Sequence, residues 1–271
     1  MQTRAIPRSN EQIPVIGLGT WQTFDVGTAA AERAPLAEVL RRFLAAGGRV
    51  IDSSPMYGRA EAVTGELLEQ IGARGKPFLA TKVWTSGKSA GIRQMERSQQ
   101  LMRAERIDLM QIHNLLDWQT HLPVLREWKQ QGRIRYIGIT HYSHSAFAEL
   151  ERLLQTEALD FIQLPYSLAD RSAEQRLLPA ARDTATAVLV MRPFAEGALF
   201  RAVKGKSLPP WAAEIDCTSW AQFFLKFILS HPAVTAPIPA TSNPDHLADN
   251  VRAGSGRLPT AEQRRKMLAV L

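Results

Sequence analysis

Short apolar runs rich in valine and isoleucine alternate along the chain with longer segments whose apolar residues recur every three or four positions. The short runs read as strands at residues 15–18, 49–53, 78–83, 109–113, 135–140, 161–164, 188–192 and 234–238. Between them the period changes. Leu36, Val39, Leu40, Phe43 and Leu44 fall on one helical face, with Pro35 near its start and Gly47-Gly48 as a stop. Trp220, Phe223, Phe224, Phe227 and Ile228 repeat that stripe behind Thr218 or Ser219 as a cap. Asn243-Pro244-Asp245 opens a further helix, and residues 260–271 form the last one.

Near-continuous apolar strands alternating strictly with helices imply a parallel sheet covered by helices. Eight such units in 271 residues predict a single (β/α)8 TIM barrel of the α/β class. The expectation is one domain over residues 1–271, with a short N-terminal extension and a C-terminal helix. Residues 195–217, after the seventh strand, carry no clear pattern and read as a long connection.

Composition narrows the partners. The chain is 45% hydrophobic and 22% charged, the balance of an ordinary globular protein. No apolar run approaches the ~18 residues of a membrane span, so no membrane partner is expected. Residues 1–14 are polar and show no export signal, which makes the cytoplasm the expected compartment, with a removed export segment left open. Cys217 is the only cysteine; it excludes an internal disulfide or a multi-cysteine metal site and reads as a small apolar residue. The net charge of +7 raises the question of nucleic acid, but acids interrupt the basic residues throughout, and Arg264-Arg265-Lys266 is too short for a basic arm. The expected partner is a small molecule, and the chain a monomer or weak oligomer. Gly17-Leu18-Gly19 starts like a dinucleotide fingerprint, yet Gln22 stands where the third glycine belongs and no helix opens there.

Ligand-handling groups of an α/β barrel sit at the C-terminal ends of its strands. Three consecutive apolar runs here lead into Asp52, Lys82 and His113, and Tyr57 follows Asp52 closely. A bland reading exists for each: a capping acid, a lysine reaching for water, a core imidazole. Together they offer one chemistry. Reducing a carbonyl requires a proton on oxygen as hydride reaches carbon, and a free phenol, with pKa about 10, is a weak acid for that task. Lys82 beside Tyr57 favours the phenolate, Asp52 keeps Lys82 charged, and a neutral His113 directs the carbonyl oxygen.

At these positions the chain resembles the aldo-keto reductase family. The resemblance rests on Gly17-Leu18-Gly19-Thr20-Trp21, Ile51-Asp52-Ser53-Ser54 with Tyr57-Gly58, Thr81-Lys82-Val83-Trp84 and Gln111-Ile112-His113. Tyr136-Ile137-Gly138-Ile139-Thr140, Ile162-Gln163-Leu164, Ile238-Pro239-Ala240-Thr241-Ser242 and Asn250 continue it in order. It implies NAD(P)H-dependent reduction of aldehydes or ketones through a tetrad of Asp52, Tyr57, Lys82 and His113. It also implies an extended cofactor, usually NADPH, with NADH as the alternative. Thr140, His141 and Gln163 would hold the carboxamide, although the usual second residue is asparagine rather than His141. Met191 stands where the family often stacks an aromatic ring, and Arg192 follows it. Thr241, Ser242, His246, Asp249 and Asn250 would receive the adenosine half. Ala240 and His246 replace the cations that many NADPH-preferring relatives carry there.

A partly aromatic substrate pocket is expected from Trp21, Phe24, Met56, Trp84 and Trp118. No third ligand accompanies His141 and His144, so no metal site is expected. Two rival readings use the same residues: a cofactor-binding regulatory barrel with little turnover, and a Schiff-base lyase with Lys82 as nucleophile. The second needs a neutral lysine, which Asp52 opposes.

Overall fold

Side chains of a strand point alternately to its two faces, so near-continuous apolar runs fill the barrel interior with one face and pack the other under the helices. The computed structural model describes residues 1–271 and realises this pattern in full. A hairpin of β1 (Thr3–Ala5) and β2 (Gln12–Pro14) precedes the barrel. The barrel strands are β3 (Leu18–Gly19), β4 (Val50–Asp52), β5 (Phe78–Val83) and β6 (Ile107–His113), then β7 (Ile134–Thr140), β8 (Phe161–Pro165), β9 (Ala187–Met191) and β10 (Ala236–Pro237). Each is parallel to its sequence neighbour.

The ring closes at a glycine seam. Gly19 bridges Ala240, while the Gly17 and Gly19 amides donate to Pro237 and Pro239 at 2.9 and 3.2 Å. A Cβ on Gly19 would sit 2.8 Å from the Ile238 carbonyl oxygen, so the Gly-Leu-Gly run serves close backbone approach. The two seam strands are correspondingly shorter than their apolar runs.

Helices cover the outside: α1 (Ala30–Ala45), α2 (Ala60–Gln70), α3 (Lys88–Leu101), α4 (Trp118–Gln130) and α5 (Phe147–Thr156), then α6 (Leu177–Asp183), α7 (Ala198–Ala202), α8 (Trp220–Leu229), α9 (Pro244–Arg252) and α10 (Ala261–Leu268). Helix α1 begins ahead of Pro35, which lies inside it. Ser219, Asn243 and Thr260 cap α8, α9 and α10 through their side chains. The connection 195–217 is not irregular, as its composition implied. It holds short 3-10 turns at Ala195–Gly197 and Pro210–Ile215 on either side of α7. Cys217 is buried there, and burial pushes its thiol up to about 11, away from reactivity.

The hairpin plugs the N-terminal end of the barrel. Ile6 and Ile13 join Val50, Phe78, Leu109, Tyr136 and Phe161 in one interior cluster. The rings of Phe78, Tyr136 and Phe161 pack pairwise at centroid distances of 5.6–6.0 Å. No helix is long and apolar enough to cross a membrane.

Candidate active site

From the plugged end, the same alternation dictates what reaches the other end. Phe78 and Ala80 face the interior, so Lys82 does too; Leu109 brings Gln111 and His113 after it, and Val50 brings Asp52. Lys82 is fully buried, and its Nζ donates to Asp52 Oδ2 at 2.7 Å and to the Ser53 carbonyl at 2.6 Å. Gln111 and Gln163 each donate from Nε2 to Asp52 Oδ1 at 3.0 Å. Tyr57 stands in the β4–α2 loop, its backbone tied to Ser54. Lys82 Nζ is 5.0 Å from the Tyr57 ring centroid, and the Tyr57 and His113 rings meet edge to face at 5.8 Å.

His113 Nδ1 lies 2.8 Å from Ser54 Oγ. That hydroxyl also accepts from the Met56 amide and has no other acceptor for its own proton. We therefore assign Ser54 as the donor to Nδ1, which leaves the imidazole proton on Nε2. Burial and the nearby Lys82 ammonium lower the His113 pKa to about 3, so the ring is neutral at physiological pH. Burial alone would pull Lys82 down, but Asp52 and then Tyr57 outweigh it, and the net shift is upward. A lysine so held is no Schiff-base nucleophile. Burial also raises the Tyr57 phenol, and Lys82 offsets this only in part, with Asp52 opposing it. The residue types alone point only to the lowering by Lys82. Low polarity wins because Asp52 cancels much of the ammonium's field.

Asp52, Tyr57 and His113 open onto a cavity of about 600 Å³, shared with Trp21, Met56 and Gln163. Met191 and Arg192 line its far wall. Arg192 Nε pairs with Glu196 at 3.0 Å, both groups partly exposed, and its guanidinium lies 4.8 Å over the Tyr142 ring. Thr140 is buried and donates to Gln163 Oε1 at 3.4 Å. His141 does not line the cavity; its Nδ1 accepts from the Ser143 amide and its ring stacks on Tyr142.

The segment after β10 leaves the cavity at Ala240. Thr241 Oγ1 accepts from the Asn243 amide, while Ser242 and His246 are exposed. Asp249 accepts from Ser219 and Gln222 at the start of α8, and Asn250 is buried.

Among the expected pocket aromatics, three placements are corrected. Phe24 is fully buried in the core, because the tight turn that bonds its amide to the Thr20 carbonyl directs the ring inward. Trp118 opens α4 and packs against the core with the Arg152 guanidinium 5.4 Å over its ring. Neither lines the cavity. Trp84 does not line it either: its ring is exposed, with its centroid 6.3 Å from that of His113. Sequence reading missed Ser54, Gln111, Tyr142, Phe194 and Phe200. The alternation along β6 was a usable signal for Gln111; Ser54, Tyr142 and Phe194 depend on loop conformation, and Phe200 on where the short helix α7 docks.

The match to a family model settles the lineage, since the model of the aldo/keto reductase family covers residues 15–266. The chain belongs to that family. Among relatives of this aldo/keto reductase, methylglyoxal reductase YeaE of Escherichia coli is 29% identical over 97% of the chain and 93% of its own length. The NADH-specific methylglyoxal reductase of the same organism is 29% identical over 68% of the chain and 64% of its own length. An aldo/keto reductase from Klebsiella pneumoniae in complex with NADP and acetate superposes with a TM-score of 0.81 at 25% identity, covering 98% and 94% of the two chains.

Proposed function

We propose that the protein reduces aldehydes or ketones to alcohols with a nicotinamide cofactor, NADPH by family tendency and NADH as the competing choice. The observation that carries this reading is the convergence of a protonated phenol and a neutral imidazole on one cavity wall, with a buried ammonium behind the phenol.

The residues present suit such a cofactor. Gln163 offers an amide donor and acceptor at the cavity floor, complementary to a carboxamide, with Thr140 fixing its oxygen. Met191 supplies a soft thioether wall, and Arg192, stacked over Tyr142, has a half-exposed ion-pair partner in Glu196 to exchange for a phosphate. His141, held by Ser143, acts as a support beside this wall. Thr241, Ser242, His246, Asp249 and Asn250 form the adenosine end in this reading. The bound cofactor supplies the hydride that reaches the carbonyl carbon.

The chain's own groups do the rest. Tyr57, kept protonated by burial, gives its proton to the carbonyl oxygen. Lys82 stabilises the phenolate left behind, and Asp52 holds Lys82 in place. His113 donates from Nε2 to the same oxygen and fixes its direction. Trp21 and Met56 shape the substrate side. The test is a titration with NADPH and NADH followed by a carbonyl panel that includes methylglyoxal and aromatic aldehydes. Saturable binding with cofactor oxidation supports the reading. Binding without turnover on any carbonyl would replace it with a regulatory barrel.

A further inference from the structure

The interior of an α/β barrel is built in layers, each filled from alternate strands and usually by branched apolar side chains. One layer here departs from that rule. Alternate strands β4, β6 and β8 contribute Asp52, Gln111 and Gln163, all buried, and the two amides meet on a single carboxylate oxygen. In register with Gln111 lie Lys82 on one side and Gly138 on the other. A Cβ on Gly138 would stand 2.9 Å from Gln111 Cγ, so glycine provides the room this side chain occupies.

The arrangement is costly. Gln111 Oε1 is buried and has no hydrogen-bond partner, a rare state for an interior acceptor. Flipping the amide would set that oxygen against Asp52, so the orientation that feeds Asp52 is the one that orphans Oε1. A side chain retained for stability would not sit this way; methionine would fill the space without the penalty.

We propose that Gln111 is a positioning residue for the reaction. It holds Asp52 Oδ1, so that Oδ2 stays on Lys82 even when the Gln163 amide is engaged by the cofactor. This rests on the function proposed above. Gln111 does not line the cavity, so it acts through Asp52 and Lys82 without touching either ligand.

The test is Gln111→Met, which keeps the volume and removes the donor. The expected kcat is about tenfold lower, the rate equivalent of one hydrogen bond to a charged group. KM for the carbonyl and Kd for the cofactor should stay within about a factor of two, because no ligand contact is lost. The Tm of the cofactor-free protein should be unchanged or raised, since the orphaned acceptor is gone. In a Gln163→Met background the same change should cost more than in the wild type, as Oδ1 then loses both donors. Wild-type kcat in Gln111→Met overturns the proposal. So does a loss of kcat matched by lower Tm and weaker cofactor binding, which marks a structural side chain. Tyr57→Phe, measured in parallel, separates the two levels. If that variant keeps its turnover, the reading of the site fails. If it is inactive while Gln111→Met is not, only the positioning role is lost.

Discussion

The two ends of the barrel are made from the same strands and could hardly differ more. At the N-terminal end, Ile6 and Ile13 of the hairpin close over Phe78, Tyr136 and Phe161. Its polar groups lie at the margin, where Glu11 takes Arg135 and the Tyr136 hydroxyl, and Arg135 also reaches Asp108 at 2.8 Å. At the C-terminal end the interior itself is polar: Asp52, Lys82, Gln111 and Gln163 are buried, with His113 and Tyr57 above them. One end satisfies its core with apolar area, the other with a network that leaves an acceptor unpaired. Apolar packing and the polar network proposed for the chemistry are thus separated along the barrel axis, only a few residues apart on each strand.

Substitutions should respect that separation. The largest effect is expected from Tyr57→Phe, which removes the proposed proton donor and should lower kcat about a hundred- to ten-thousandfold with little change in thermal midpoint. Steady-state rates and a melting curve read both; near-normal turnover would take the acid away from Tyr57. Ile13→Ala at the plug should do the reverse. It should reduce stability by about 2–5 kcal/mol in urea titration, with the kcat of the folded protein unchanged. If activity falls before unfolding does, the two ends are coupled and the comparison breaks.

A smaller effect is expected at the outer rim of the active end. Replacing Ala240 with Lys and His246 with Arg should raise the NADPH-to-NADH affinity ratio by about three- to tenfold, the scale of exposed charge pairs. An unchanged ratio would move the 2′-phosphate elsewhere. The least change is expected from pH. The folded His113 pKa is lowered from 6.5 to about 3, so the ring is already neutral between those values and kcat should show no limb near 6.5. In the same window the unfolded chain binds the proton that the fold refuses, so His113 contributes a loss of stability as pH falls from 6.5 toward 3. A kinetic limb near 6.5 would put a charged imidazole in the resting site.

The alternation of apolar runs and helical stripes was enough to read eight β/α units and most of the strand cores, because period and length are local properties. The strand-end groups Asp52, Lys82 and His113 were legible for the same reason: each is two or four residues beyond an inward-facing apolar residue. The hairpin at Thr3–Ala5 and Gln12–Pro14 was not, since two three-residue strands carry too little pattern. Phe24 and Trp118 were misplaced because an aromatic after a strand end joins the pocket or the core according to loop conformation, which composition does not encode.

Period, run length and motif order were enough to read the parallel barrel, its polar end and the groups gathered there. It takes the folded chain to show that Gln111 and Gln163 share one oxygen of Asp52, that Tyr57 is pushed up and not down, and that Ser54 holds His113. The physical reason is that a strand's period fixes which face a side chain takes, whereas hydrogen-bond partners and local polarity depend on distances across the barrel that no single segment contains.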